Sequence, residues 1–213
     1  MAIYGNDRKR PRYKLMATPL TDILNKAINT KSISLNSNNS KDWFRNKAAS
    51  INSADPSTFL SKSKAQESRA ATIGQMYLFN YDPKLKEDLP YYDRYPLIFP
   101  FSQAKDGFLG LNMHYLPLTY RGKLMDALYT IAVSDKDKNI TGLQMSYQIL
   151  TNASRFRFFK PCVKHYLNSH VRSRFVKIDP TEWDIALFLP FQRFEKASIS
   201  KVYKDSRAII AKG

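Results

Sequence analysis

With 213 residues, a formal net charge of +16 and a single cysteine, Cys162, the chain is long enough to bury one core with a smaller accessory region, and it excludes an internal disulfide framework. One cysteine and three histidines fall short of the closely spaced ligands of a four-coordinate zinc site. No stretch approaches the roughly 18 consecutive apolar residues of a membrane span, and the start, MAIYGNDRKRPRYK, lacks the apolar segment of a signal peptide. A protein made in the cytoplasm, without a membrane partner and stabilised by packing, is therefore expected.

The charge is unevenly placed. Residues 1 to 75 hold thirteen Lys or Arg against five Asp or Glu, residues 76 to 151 eight against eight, residues 152 to 177 seven against none, and residues 178 to 213 six against five. Two basic blocks flank a neutral middle. Such blocks are drawn to nucleic acid, to anionic lipid or to acidic protein surfaces.

In chain order, residues 1 to 17 form an extended arm in which Arg8, Lys9, Arg10, Arg12 and Lys14 surround Pro11. Two readings of it stay open, a solubilising tail and an arm that becomes ordered along phosphates or an acidic partner. Thr18 and Pro19 then start a short helix with Leu20, Ile23, Leu24 and Ala27 on one face. A Ser- and Asn-rich linker leads to a second helix through KDWFRNKAASI, anchored by Trp43 and Phe44 with Lys41, Arg45 and Lys47 outward. Asp55-Pro56-Ser57 breaks the chain, and Thr58 to Ile73 has weak helical character. Helices this short need a surface to bury their apolar faces on, either a neighbouring subunit or their own domain. Residues 1 to 75 are thus expected to be a basic arm with short amphipathic helices, and residues 76 to 213 a globular domain.

That domain opens with three strands, Met76 to Tyr81, Tyr95 to Ser102 and Phe108 to Leu116, separated by Asp-Pro, Leu-Pro and Asp-Gly turn signals. A helix over Thr119 to Val133 follows, with Tyr120, Leu124, Leu128 and Ile131 as its stripe. Next come a charged loop over 134 to 139 and helices over Thr141 to Leu150 and Pro161 to Arg172. Strands over Arg174 to Ile178 and Trp183 to Pro190 close the domain, and the tail from Phe191 to Gly213 includes a terminal helix. Strands, helices and strands again, without strict alternation, predict an α+β fold: a small bent antiparallel sheet or partly open barrel with three to four helices packed on it.

Few residues suggest chemistry. His114 in the third strand, with Asp93 and Arg94 in the turn before the second, would form an acid-base group if the loops converged. A histidine hydrogen-bonded within the sheet is the simpler expectation. His165 and His170, five apart on a helix, would not share a metal. Cys162 follows Pro161 in a first helical turn, where the dipole lowers a thiol pKa, but without a partner at a catalytic spacing it reads as packing. With no glycine-rich phosphate loop, nucleophile elbow or paired carboxylates, no enzymatic activity and no cofactor are expected.

The second basic block is more informative. Arg155, Arg157, Lys160, Lys164, Arg172, Arg174 and Lys177 are interleaved with Phe156, Phe158, Phe159, Tyr166 and Phe175. Cations for phosphate and rings for stacking are what nucleic-acid surfaces use. The same alternation also suits an acidic protein partner, or a core of rings with the charges simply solvated. The cations of this block and of the arm are the candidate partner- or phosphate-binding residues, and Leu20, Ile23, Leu24, Trp43 and Phe44 the candidate anchors.

The phrases YDPKLKEDLPYYDRYPLIFPF, GFLGLNMHYLP, FKPCVKHYLNSHVRSRFVKI and EWDIALFLPFQRFEKAS resemble a family of small basic virion proteins from contractile-tailed bacteriophages of the T-even type. The resemblance covers about residues 76 to 207 and leaves the first 75 outside, and no functional residue is carried over from it. It implies a place in the virion and two competing roles. In the first, the protein is a non-enzymatic structural component that docks on tail, baseplate or neck subunits and ties them together through its arm. In the alternative it is a DNA end protector that binds duplex ends without sequence specificity.

Overall fold

The computed structural model describes residues 18–20, 22–23, 45–51, 54–123, 125–126 and 157–212. Within them lie eight strands: β1 (Glu67–Ser68), β2 (Met76–Leu78), β3 (Tyr92–Asp93), β4 (Leu97–Ala104), β5 (Gly107–Asn112), β6 (Val163–Leu167), β7 (Phe175–Ile178) and β8 (Phe194–Glu195). Six form one sheet in the order β1-β7-β2-β4-β5-β6, and β3 pairs with β8. Every pairing is antiparallel. The three strands read around the Asp-Pro, Leu-Pro and Asp-Gly turns are present as β2, β4 and β5, and the α+β class holds. The edge strands β1 and β6 do not pair with each other, so the sheet remains open.

The sheet is sharply curled. Three strand spacings separate β5 from β7, about 14 Å in a flat sheet at roughly 4.8 Å each. Yet the rings of Phe108 on β5 and Phe175 on β7 have centroids 5.8 Å apart. Likewise Tyr166 on β6 lies 5.4 Å from Phe79, just past β2. The hollow of the curl is filled by Tyr77, Phe79, Tyr81, Ile98, Phe108, Tyr166 and Phe175. Phe79 meets Tyr81, Phe108, Tyr166 and Phe175 edge-on, the preferred geometry of aromatic pairs, worth about 0.5–1.5 kcal/mol each beyond burial. Register allows the fit at one tight point. A Cβ on Gly107 would stand 1.9 Å from the Tyr166 carbonyl oxygen, so only glycine permits β5 to approach β6 there.

The opposite face carries the larger core, where Met76, Leu78, Leu97, Phe99, Leu111, Val176 and Ile178 meet the helices. Three helices are α1 (Pro56–Lys62), α2 (Trp183–Phe188) and α3 (Ile199–Lys212), and residues 19–20, 22–23, 45–49, 118–123 and 125–126 are also helical. Trp183 packs edge-on to Phe99 at 4.9 Å and holds α2 on β4. Phe59 of α1 meets Phe191 at 5.2 Å. Leu20, Ala48, Ala54 and Phe59 all belong to this core, so these described parts of the segment before residue 76 pack on the chain's own sheet.

Several elements differ from the sequence reading. Pro161 to Arg172 is not a helix: a 3-10 turn (Arg157–Cys162) leads into β6, which pairs with β5 from Leu111↔Val163 to Gly107↔Leu167. Its apolar residues mimic helical spacing because both faces of the strand are used, Val163 toward the main core and Tyr166 toward the aromatic hollow. Trp183 to Pro190 is not a strand. Its alternation is misleading because the intervening Asp184, Ala186 and Phe188 are buried too, and a helix buried all round has no polar stripe. Asp179 caps the preceding turn by accepting from Thr181 N–H, with Pro180 in the first position. The same device makes Asp55-Pro56 a helix start rather than a break, since Asp55 accepts from the N–H groups of Ser57 and Thr58. Arg45 does not face outward; it is buried between Asp126 at 2.8 Å and Asp184 at 3.2 Å. The predicted loop over 134–139 and helix over 141–150 lie outside the described residues, as does the helix over 119–133 beyond residue 126.

Candidate nucleic-acid interface

The convergence of His114 and Asp93 is real, but it lies in the interior. His114 sits in a 3-10 turn (Met113–Tyr115) that follows β5 and has no exposed surface. Its Nδ1–H donates to Asp93 Oδ2 at 2.7 Å, and Asn112 Nδ2 donates to the same oxygen at 3.1 Å. Asp93 Oδ1 accepts the backbone N–H groups of Tyr95 and Arg193, each at 3.2 Å. All four donors thus converge on one carboxylate. Burial lowers the His114 pKa despite the opposing attraction of Asp93, which favours the neutral ring. Arg94, the third member of the expected group, is exposed instead and lies 3.8 Å from Glu195. A buried imidazole does not reach a substrate, so this group is a structural clasp joining β3, β5 and the chain before β8.

Next to it is a residue that sequence reading did not single out. Arg121 is fully buried, and its guanidinium donates to the carbonyls of Leu116 (2.8 Å), Leu187 (2.7 Å) and His114 (3.2 Å) and to the Tyr203 hydroxyl (2.7 Å). Carbonyl dipoles replace the water it loses, although burial lowers its pKa. The available signal was an arginine at the i+3 position of the stripe Leu118, Arg121, Met125. Cys162 is also enclosed, and burial pushes its thiol pKa up, opposite to the direction a helix dipole would give. His165 lies on β6, 3.2 Å from Asp106, and His170 donates to the Asp82 carbonyl at 2.8 Å. Among the described residues no cluster of three His, Cys, Asp or Glu is placed to hold a metal.

The cations of the second block occupy distinct positions. Lys160 is exposed. Lys164 is half-buried with its ammonium 4.1 Å from the Tyr115 ring centre, a cation–π contact in which burial lowers its pKa. Arg172 is exposed and 3.5 Å from Asp82. Arg174 and Lys177 are exposed with no ion pair among the described residues. Of the rings between them, Phe159 packs on the main core and Tyr166 and Phe175 fill the aromatic hollow, while Phe156 and the side chain of Phe158 lie outside the described residues. The three described rings offer no open stacking platform. Arg8, Lys9, Arg10, Arg12, Lys14, Leu24, Trp43, Phe44, Arg155 and the side chain of Arg157 lie outside the described residues, whereas Leu20 is buried in the core and Ile23 packs against it.

One cleft of about 400 Å³ opens at the rim of the aromatic hollow. Phe108 and Phe175 line it together with Gln103, Asn168, Ser173 and two arginines, Arg69 and Arg174. Those arginines each stand one position beyond the last β1–β7 pair, Ser68↔Phe175, so both lie at the same strand ends.

A family model described as phage T4 terminal DNA protecting protein matches residues 6–209. The chain belongs to this family. The match includes most of the first 75 residues, which the sequence reading had placed outside its resemblance, so the basic arm is part of the family's common length. Family membership makes this a protein of T4-type phages and gives no support to the tail, baseplate or neck assignment. No curated protein and no solved structure matches the chain.

Proposed function

We propose that this protein binds the ends of linear duplex DNA and shields them, acting without catalysis through contacts between cations and phosphates. The observation that carries this reading is the match to the terminal DNA protecting family over residues 6–209. The net charge of +16 supports it, as do the exposed cations on and around β7. Because the described rings of the second block, Phe159, Tyr166 and Phe175, pack inward, contact with DNA is assigned to charge rather than to stacking on them, which suits binding without sequence preference. The buried state of His114 supports a non-enzymatic role. Association with the virion follows from this reading, since the ends of a packaged genome lie there. Docking on tail, baseplate or neck subunits, which the sequence reading placed first, is the weaker alternative because the family description concerns DNA ends.

The test is a gel shift on blunt linear duplex, with a covalently closed circle of the same sequence as competitor, followed by exonuclease digestion of the bound duplex. Tight binding is expected at about 50 mM salt, falling steeply by about 200 mM as released counterions accumulate. The circle should compete poorly, and digestion should be slowed. Absence of a shift at the lower salt, or equal competition by the circle, refutes the proposal.

A further inference from the structure

The cleft at the rim of the aromatic hollow has features that general attraction to DNA does not require. Its volume of about 400 Å³ falls near the lower end of the roughly 300–1,000 Å³ of small-molecule sites, room for one nucleotide but not for a duplex. No carboxylate lines it. Arg69 and Arg174, each next to the last β1–β7 pair, line the same small rim, and two like charges on one rim repel. Among the described residues neither guanidinium has a hydrogen-bonding or ion-pairing partner, nor do the side-chain amides of Gln103 and Asn168, which share the lining. The floor beneath them, Phe108 and Phe175, is held rigidly by the aromatic cluster. Four residues with donor side chains therefore line a small space whose lining holds no carboxylate.

We infer that this cleft receives a terminal phosphomonoester of a DNA strand, gripped between Arg69 and Arg174. The inference rests on the DNA-end reading above and deepens it. A terminal monoester has three free oxygens and a charge of about −1.5 to −2 at neutral pH, because its second pKa is about 6. An internal diester offers two free oxygens and a single charge. Two forked guanidinium groups match the first better than the second, so the cleft distinguishes a strand end from the strand interior. Gln103 and Asn168 are placed to donate to the third phosphate oxygen or the first sugar.

The experiment is fluorescence anisotropy with two blunt duplexes of one sequence, one carrying 5′-phosphates and the other 5′-hydroxyls, and with a third bearing 3′-phosphates only. Three proteins are compared: the full-length chain, the double variant R69Q/R174Q, and Lys177→Gln as a charge loss outside the cleft. The unaltered chain should bind the 5′-phosphorylated duplex about tenfold more tightly or better, as expected for charge-assisted hydrogen bonds. The 3′-phosphate, a monoester of the same charge, should bring a similar gain. R69Q/R174Q should bind all three duplexes alike, while Lys177→Gln should weaken all three and keep the preference. Equal binding of 5′-phosphate and 5′-hydroxyl ends by the unaltered chain overturns the inference but leaves the DNA-end reading intact. So does a preference that survives in the double variant. If no linear duplex is bound at all, the proposed function fails and the cleft assignment fails with it.

Discussion

Replacing Asp93 by Asn tests whether the Asp93–His114 group is a clasp or a catalytic pair. The carboxylate accepts four hydrogen bonds, two at each oxygen. An asparagine that keeps its carbonyl toward the Tyr95 and Arg193 N–H groups turns its NH2 toward the donors of Asn112 and His114. His114 can relieve one conflict by moving its proton to Nε2, but that atom is buried without a partner among the described residues. At least one buried donor remains unsatisfied, at about 1–3 kcal/mol, and the surviving bonds lose the added strength of a charged acceptor, so a total near 3 kcal/mol is expected. Equilibrium urea unfolding followed by tryptophan fluorescence measures it, with Trp183 as an enclosed reporter. With a denaturant slope of about 1–3 kcal/mol/M, the midpoint should fall by about 1 to 3 M. A catalytic pair would behave otherwise, losing an activity while keeping its stability. A loss below about 1 kcal/mol refutes the clasp.

The lowered pKa of His114 gives stability a pH dependence of definite sign. Below its unfolded value of about 6.5 the unfolded chain takes up a proton that the buried ring resists, so stability is full above that pH and falls beneath it, by at most about 1.4 kcal/mol per unit for this one group. His114→Asn, which can still donate to Asp93, should flatten the slope between pH 7 and 5 in urea titrations; an unchanged slope contradicts the assignment. Gly107→Ala should force β6 away, because its Cβ would meet the Tyr166 carbonyl carbon at 2.9 Å as well as the oxygen. A cost of about 1–3 kcal/mol, typical of overpacking, is expected, and thermal unfolding at the unaltered midpoint would show that the strand gives way freely.

The sheet was legible where turn chemistry and branched or aromatic runs coincide, at β2, β4, β5 and β7. It was misread where two buried faces meet in one element. On β6, Val163 and Tyr166 serve opposite cores, and their combined spacing copies a helix. On α2 the burial is complete, so the alternation of Trp183, Ile185, Leu187 and Leu189 carried no information about period, whereas the cap Asp179-Pro180 did. The clasp was legible only as a possibility: Asp93 and His114 stand 21 positions apart, and nothing local fixes whether such a pair ends inside or outside. Arg69 escaped notice for the same reason. It lies in the first basic block, and only the β1–β7 pairing brings it to the rim it shares with Arg174 of the second.

That pairing bears on how charge is distributed along the chain. Counted in sequence, the basic blocks are separated by a neutral middle of 76 residues. In space the middle supplies β2, β4 and β5 of the curled sheet and the flanking stretches supply β1, β6 and β7; its two faces are both occupied, one by helices and one by the sheet's own rings. A sheet buried on both faces has no flat surface left for a partner, so contact falls to strand ends, edges and rims. The residues at one such rim are Arg69 from before the neutral segment and Arg174 from after it. The strands of the neutral segment therefore help carry two distant stretches of positive charge to one rim, above the packed rings of Phe108 and Phe175.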